Sequence, residues 1–184
     1  MTTRKEIIQL ADGLIRAKGY NAFSFYDISK AVGIKTASIH YHFPSKSDLG
    51  VAVVDRQLET LNELILKSEK WTPLKKLDQL INIYSKIMDD DKVCLVGSLS
   101  TDLNTVDESI RKHLKVFAEQ MLEWVSKFLE EGREQGVFHF EGLPRTRAIM
   151  IIGNLLAIVQ LSRLTDKRDF KKVTSTIKKD LITI

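Results

Sequence analysis

Residues 24–46 read SFYDISKAVGIKTASIHYHFPSK, and their punctuation decides the fold. Ser24 and Asp27 stand three apart at the head of an apolar-periodic run. That spacing makes a capping box, in which each side chain satisfies a backbone N–H of the first helical turn. Phe25, Ile28 and Val32 follow at helical spacing with Ala31 beside them, so one face can be buried. Gly33 then supplies the residue best suited to the left-handed conformation that stops a helix, with Ile34 as an apolar plug under the turn. A second helix is expected from Thr36 to about Phe43, ending where Pro44 forbids continuation. Two short helices joined by a tight glycine-containing turn predict a helix-turn-helix.

The second helix has the surface of a reader. Lys35, Thr36, Ser38, His40, Tyr41 and His42 form hydrogen bonds or carry charge, Ala37 is small enough for close approach, and Ile39 and Phe43 anchor the inner face. A recognition helix turns its N-terminal residues to base edges while neighbouring hydroxyls, imidazoles and amines take phosphates. A merely solvated helix would share the polar face, but the Tyr41–His42 aromatic pair asks for a partner. The expected division places Ser24, Ser38, Tyr41, His42 and Lys46 on phosphates and Lys35, Thr36 and Ala37 on bases.

The stretch GYNAFSFYDISKAVGIKTASIHYHFPSKSDL, residues 19–49, resembles the DNA-binding domain of the tetracycline-repressor (TetR) family of bacterial transcription regulators. Gly19–Tyr20, Ser24, Asp27–Ile28, Val32–Gly33–Ile34, Tyr41–His42–Phe43 and Ser45–Lys46 carry the resemblance. Lys35, His40 and Phe23 depart from the small polar residue, Tyr and Thr common in the family at those places, so Lys35 and His40 become candidates for setting a particular operator. The resemblance implies a homodimer through the last two long helices, about 144–165 and 169–181, bound to a pseudo-palindromic double-stranded operator. It also implies release by a small-molecule effector held among helices four to eight. Tyr84, Met88, Cys94, Phe117, Met121, Trp124 and Asn154 are the candidate lining, although aromatic and Met positions at helical spacing equally make an ordinary core. Control by a protein partner or by modification of the Cys94 thiol is the alternative.

Composition agrees with an all-α chain. Three prolines and nine glycines in 184 residues favour long uninterrupted helices. Residues 1–47 hold seven Lys and Arg against three acids, while the remaining 137 carry 21 of each sign, so the whole net charge of +4 sits with the helix-turn-helix. A located positive excess is the electrostatic footprint a phosphate backbone requires. A single cysteine, Cys94, excludes an intramolecular disulfide framework and fits a reducing cytoplasm. Arg4, Glu6, Asp12 and Arg16 interrupt any apolar leader. The longest apolar run, 148–161, contains Asn154 and Gln160 and is too short to span a bilayer, so no membrane partner is expected.

Along the chain, a first helix is expected from Thr3 to Lys18 and a fourth from Ser45 to about Ser68, the latter a rigid lever out of the reader. Pro73 opens a fifth and the run Asp89–Asp90–Asp91 breaks it, as a solvated loop and not a metal site, since the spacing of a calcium loop is absent. A short buried helix is expected over 92–103 and a long one from Asp107 that stops near Gly132 to Gly136, with Val137–Phe140 as a loop or a brief extended piece. The helix from Pro144 to about Thr165 is apolar nearly all round and must be covered on every side, which a second subunit would do. The expected domains are 1–46, a three-helix DNA-binding domain, and 47–184, a helical regulatory and dimerisation domain. No cofactor is expected, and no phosphate loop, nucleophile elbow or zinc-protease motif supports an enzyme.

Overall fold

The computed structural model describes residues 3–182. Among them the architecture is helical throughout, with no strand. The elements are α1 (Thr3–Lys18), a single 3-10 turn (Tyr20–Ala22), α2 (Phe25–Val32), α3 (Thr36–His42), α4 (Lys46–Lys67), α5 (Pro73–Asp89), α6 (Leu95–Thr101), α7 (Glu108–Glu134), α8 (Pro144–Leu161) and α9 (Arg168–Ile182). The chain forms two compact units: the first is Met1–Leu61 with Cys94–Ala118, the second Asn62–Val93 with Glu119–Ile184. Packing therefore groups the chain differently from a cut at residue 46, because α6 and the first part of α7 join the N-terminal helices.

In the first unit α1 buries Ile7, Ala11 and Ile15, and α2, α3 and α6 all pack against it. The box at the head of α2 is formed: Ser24 N–H donates to Asp27 Oδ2 at 2.7 Å and Asp27 N–H to Ser24 Oγ at 3.4 Å. Gly33 ends α2 with φ +76°, a conformation that any Cβ would strain, and its N–H donates to Ser29 O at 2.9 Å. Across the turn Thr36 Oγ1 donates to Ser29 Oγ at 3.3 Å, and Ser29 Oγ donates to Tyr26 O at 2.8 Å. Ile39 is fully buried and Phe43 closes α3 as a buried C-cap. A second Ser–Asp box opens α4, with Ser45 N–H on Asp48 Oδ2 at 2.9 Å. The short helix expected over 92–103 is α6, and Ser98 Oγ ties it to α1 by donating to Ile15 O at 2.6 Å. The 3-10 turn at Tyr20–Ala22 was not foreseen.

The second unit is built on α5, α8 and α9, which pack in that order. Thr72 caps α5, accepting from Lys75 N–H at 3.3 Å, with Pro73 in the first turn where its missing N–H is harmless. Lys76 is buried because Glu131 takes its ammonium at 2.6 Å, so the charge is not left unpaired. Residues 137–140 are a loop, the first of the two expected forms, held by His139 N–H donating to Leu181 O at 2.7 Å over a buried Phe138. The all-apolar helix stops at Leu161 and not Thr165. It buries Ala148, Ile151, Leu155 and Ile158 and leaves Ile149, Met150, Leu161 and, just beyond its end, Leu164 exposed. One side is covered by its own chain and the other is open. No helix among the described residues is long and apolar enough to cross a membrane.

Candidate nucleic-acid interface

The capped and tied α2–α3 pair presents a defined outer face. Lys35 is the extended N-cap of α3, and Lys35, Ala37, Ser38 and Tyr41 are exposed. Tyr41 is 85% exposed and meets His42 edge-to-face at 5.2 Å between ring centres. The exposed Lys35, Ser38 and Tyr41 side chains offer the ammonium and hydroxyl groups that phosphate oxygens accept from.

The remaining expected contacts are partly engaged within the protein. Thr36 is half-buried with its hydroxyl on Ser29, so it serves the turn as well as the surface. The exposed His40 packs edge-on against Phe25 at 4.9 Å, with Nδ1 3.4 Å from Pro44 O. Ser24 Oγ also donates to Asp27 Oδ2 at 2.7 Å. That hydroxyl and the Ser24 backbone N–H hold the Asp27 carboxyl below the usual carboxylate range. Lys46 turns inward. Its Nζ donates to Phe23 O at 2.5 Å and lies 4.7 Å and 4.3 Å from the ring centres of Tyr20 and Phe23. Burial pulls its pKa down, against Asp102 and Asp27, which support the charge. That carbonyl takes one of the ammonium's three N–H donors.

One surface residue lay outside the expected set. Tyr26 is 67% exposed on the outer face of α2, with exposed Lys30 one turn further along. The available signal was its position off the Phe25, Ile28 and Val32 stripe.

The candidate lining residues fall into different units. Tyr84, Met88 and Trp124 are buried in the second unit and Met121 is half-buried there, whereas Cys94 and Phe117 belong to the first. Trp124 uses its indole N–H on Ser68 Oγ at 3.3 Å and meets Phe128 edge-on at 5.2 Å. Asn154 does not join the buried group: it lies on the exposed side of α8, its Nδ2 donating to Met150 O at 2.8 Å. Cys94 is the N-cap of α6, with Sγ accepting Gly97 N–H at 3.1 Å. Burial pushes its thiol pKa up, outweighing the opposing pull of Gly97 N–H and Arg16. A buried thiol held protonated is a poor nucleophile.

A helix-turn-helix with a solvent-facing second helix, in a stretch (residues 1–47) that holds seven Lys and Arg against three acids, is the arrangement of a DNA-binding protein. Comparison with known proteins gives the family. Residues 7–53 match the family described as "Bacterial regulatory proteins, tetR family", and residues 73–177 match "Tetracyclin repressor-like, C-terminal domain". The chain belongs to the TetR family of bacterial transcription regulators; it is a DNA-binding regulator and not an enzyme. It is 30% identical over 169 residues to a helix-turn-helix transcriptional regulator of Lactococcus lactis encoded in the lacX 3′ region, covering 85% of this chain and 83% of that one. It is 22% identical over 168 residues to the transcriptional repressor DhaR of Mycobacterium sp. (strain GP1), covering 90% and 85%. Among solved structures, a TetR regulator from Legionella pneumophila superposes with a TM-score of 0.88 at 32% identity, covering 98% of each chain.

Proposed function

We propose that this chain is a dimeric cytoplasmic repressor that reads a pseudo-palindromic operator through α3 and is released by a small-molecule effector. The carrying observation is the outer face of α3, where Lys35, Ala37, Ser38 and Tyr41 stand in solvent on a turn fixed by Gly33 and the Thr36–Ser29 hydrogen bond. In this reading residues 1–46 read DNA and 47–184 regulate and dimerise. Lys35 and Ala37 meet base edges, with Thr36 beside them; Ser38, Tyr41, His42 and Ser24 meet phosphates, with His40 at the edge of the site. Lys46 meets phosphate with the N–H donors that Phe23 O leaves over.

Dimerisation is supported by the open side of α8. Ile149, Met150 and Leu161 recur at helical spacing, and Leu164, 85% exposed, continues the line. Gly153, Asn154 and Ala157 lie between them, small enough to admit a second helix closely. Asn154 then belongs to the subunit interface and not to an interior cavity. The effector is proposed among Tyr84, Met88, Met121 and Trp124 of the second unit. Two proteins of similar fold have been solved in complex with choline (Saccharomonospora viridis, TM-score 0.78, 19% identity) and with stearoyl-CoA (Bacillus subtilis FadR, TM-score 0.70, 21% identity), which supports a ligand-responsive reading without choosing the ligand. The buried, protonated Cys94 argues against the thiol alternative.

The test is a titration of cell-extract fractions, the small-molecule filtrate and the protein retentate separately, into the protein bound to its selected duplex, read by fluorescence anisotropy. Release by a metabolite fraction is the expected result. Release by a protein fraction alone would favour control by a protein partner instead.

A further inference from the structure

The turn that enters the helix-turn-helix is held from a distant part of the chain. Asp102, at the C-terminal end of α6, accepts Tyr20 N–H on Oδ2 at 2.9 Å and the Asn21 side-chain amide on Oδ1 at 3.0 Å. The same amide donates to Thr105 Oγ1 at 2.7 Å, and Thr105 Oγ1 donates to Asp102 O at 2.8 Å. This closes a ring of hydrogen bonds between residues more than 80 positions apart, all within the first unit. The Tyr20 ring is buried behind it. A Cβ placed on Gly50 of α4 would lie 3.0 Å from Tyr20 Cε2 and 2.6 Å from Ile110 Cδ1, so ring, α4 and the start of α7 are in closest approach here. A carboxylate suits this position, because hydrogen bonds to a charged acceptor are about twice as strong as neutral ones.

We propose that Asp102 is a positioning residue for DNA binding, locking the Tyr20–Asn21 turn, and through it α2 and α3, to the α6–α7 loop so that loop and reader move as one body. Asp102 itself touches no DNA; it acts through Tyr20 and Asn21, and a displacement of the loop is passed to the reader. The proposal rests on the assignment of α3 as the DNA reader.

The test compares Asp102→Ala, Asn21→Asp and the double substitution Asn21→Asp with Asp102→Asn. The first removes the acceptor. The second sets two carboxylates against each other. The double substitution lets the paired oxygen and nitrogen trade places while the remaining oxygen at position 102 still accepts Tyr20 N–H. Two readouts are taken well below the melting transition: affinity for the duplex recovered from a random-sequence pool with the unmodified protein, and amide hydrogen exchange of the DNA-free protein. If an untied turn leaves the reader competent in about one molecule in ten, apparent affinity falls about tenfold. The expected result is that fall in both single variants, with faster exchange at Tyr20 and across α2 and α3, and recovery of both readouts in the double variant. Should Asp102→Ala fail to fold, Asn21→Asp and its rescue decide the matter alone. Unchanged affinity and exchange in the single variants, or a lowered melting temperature with affinity intact, would overturn the proposal; so would a loss that the double variant does not restore. Exchange at Tyr20 needs no DNA, so failure to recover a duplex would count against the DNA-reading assignment while positioning is still decided by exchange.

Discussion

Met150→Glu should convert the protein to a folded monomer. Met150 is 52% exposed in the middle of the open side of α8, so in a single chain the substitution puts a good helix former where water can reach it. Burying a Met side chain fully contributes about 1.5–3 kcal/mol. Half of that remains to be gained at an interface, about 1 kcal/mol per copy. Two-fold symmetry repeats the position, giving about 2 kcal/mol for the pair, and each carboxylate left unpaired in the interface costs at least about 1 kcal/mol more. The total of about 4 kcal/mol corresponds to roughly a thousandfold in the dimer dissociation constant. Sedimentation equilibrium should show the wild-type mass at micromolar protein halved by the substitution, while far-ultraviolet circular dichroism keeps its helical signal. Operator affinity should collapse with the dimer, because two half-sites are no longer bound together. A variant that remains dimeric with an unchanged constant would refute the assignment of this helix side, and loss of helical signal would show that the open side is not open.

The reader makes separable predictions. Lys35→Ala should relax preference at one base pair by about 1–3 kcal/mol, whereas Tyr41→Ala should weaken all sequences alike, both read from binding to a panel of single-base operator variants. If about six phosphates are neutralised per dimer, log affinity against log salt should have a slope of about −5 in a gel-shift series. The Asp27 carboxyl has its pKa lowered by Ser24. Its contribution to the head of α2 is therefore complete above the ordinary carboxylate value of 3.8 and is lost as pH falls through the lower folded value. Hydrogen exchange at Ser24 N–H, relative to its intrinsic rate, should accelerate in that acid window and not at about pH 5; Asp27→Asn, which removes the titrating carboxyl that accepts this N–H, should remove the pH step.

The helix-turn-helix was legible because its signals are local. Ser24 with Asp27, Gly33, Pro44 and Ser45 with Asp48 each act within one helical turn, and in the structure they cap or stop the helices they flank. The exposed polar face of α3 was legible too, since polar residues flank the Ile39 and Phe43 anchors. What escaped depends on partners far away in sequence. Nothing near Lys46 announces that Phe23 O and two aromatic rings will take its ammonium. Asp102 looks like any loop acid until the fold brings it to Tyr20. Asn154 sits in a helix whose apolar residues run all round, so periodicity offers no way to tell the covered side from the open one. Tyr26 escaped for the opposite reason, being outside the buried stripe that marks its neighbours.

Whether α3 reads DNA as one half of a two-fold pair is decided by selecting bound duplexes from a random-sequence pool with the full-length protein. The expected result is enrichment of an inverted repeat whose half-site centres lie one helical turn apart, about 34–36 Å, or a multiple or slight extension of it. Enrichment of a single unrepeated site, or no enrichment above the input pool, would contradict it.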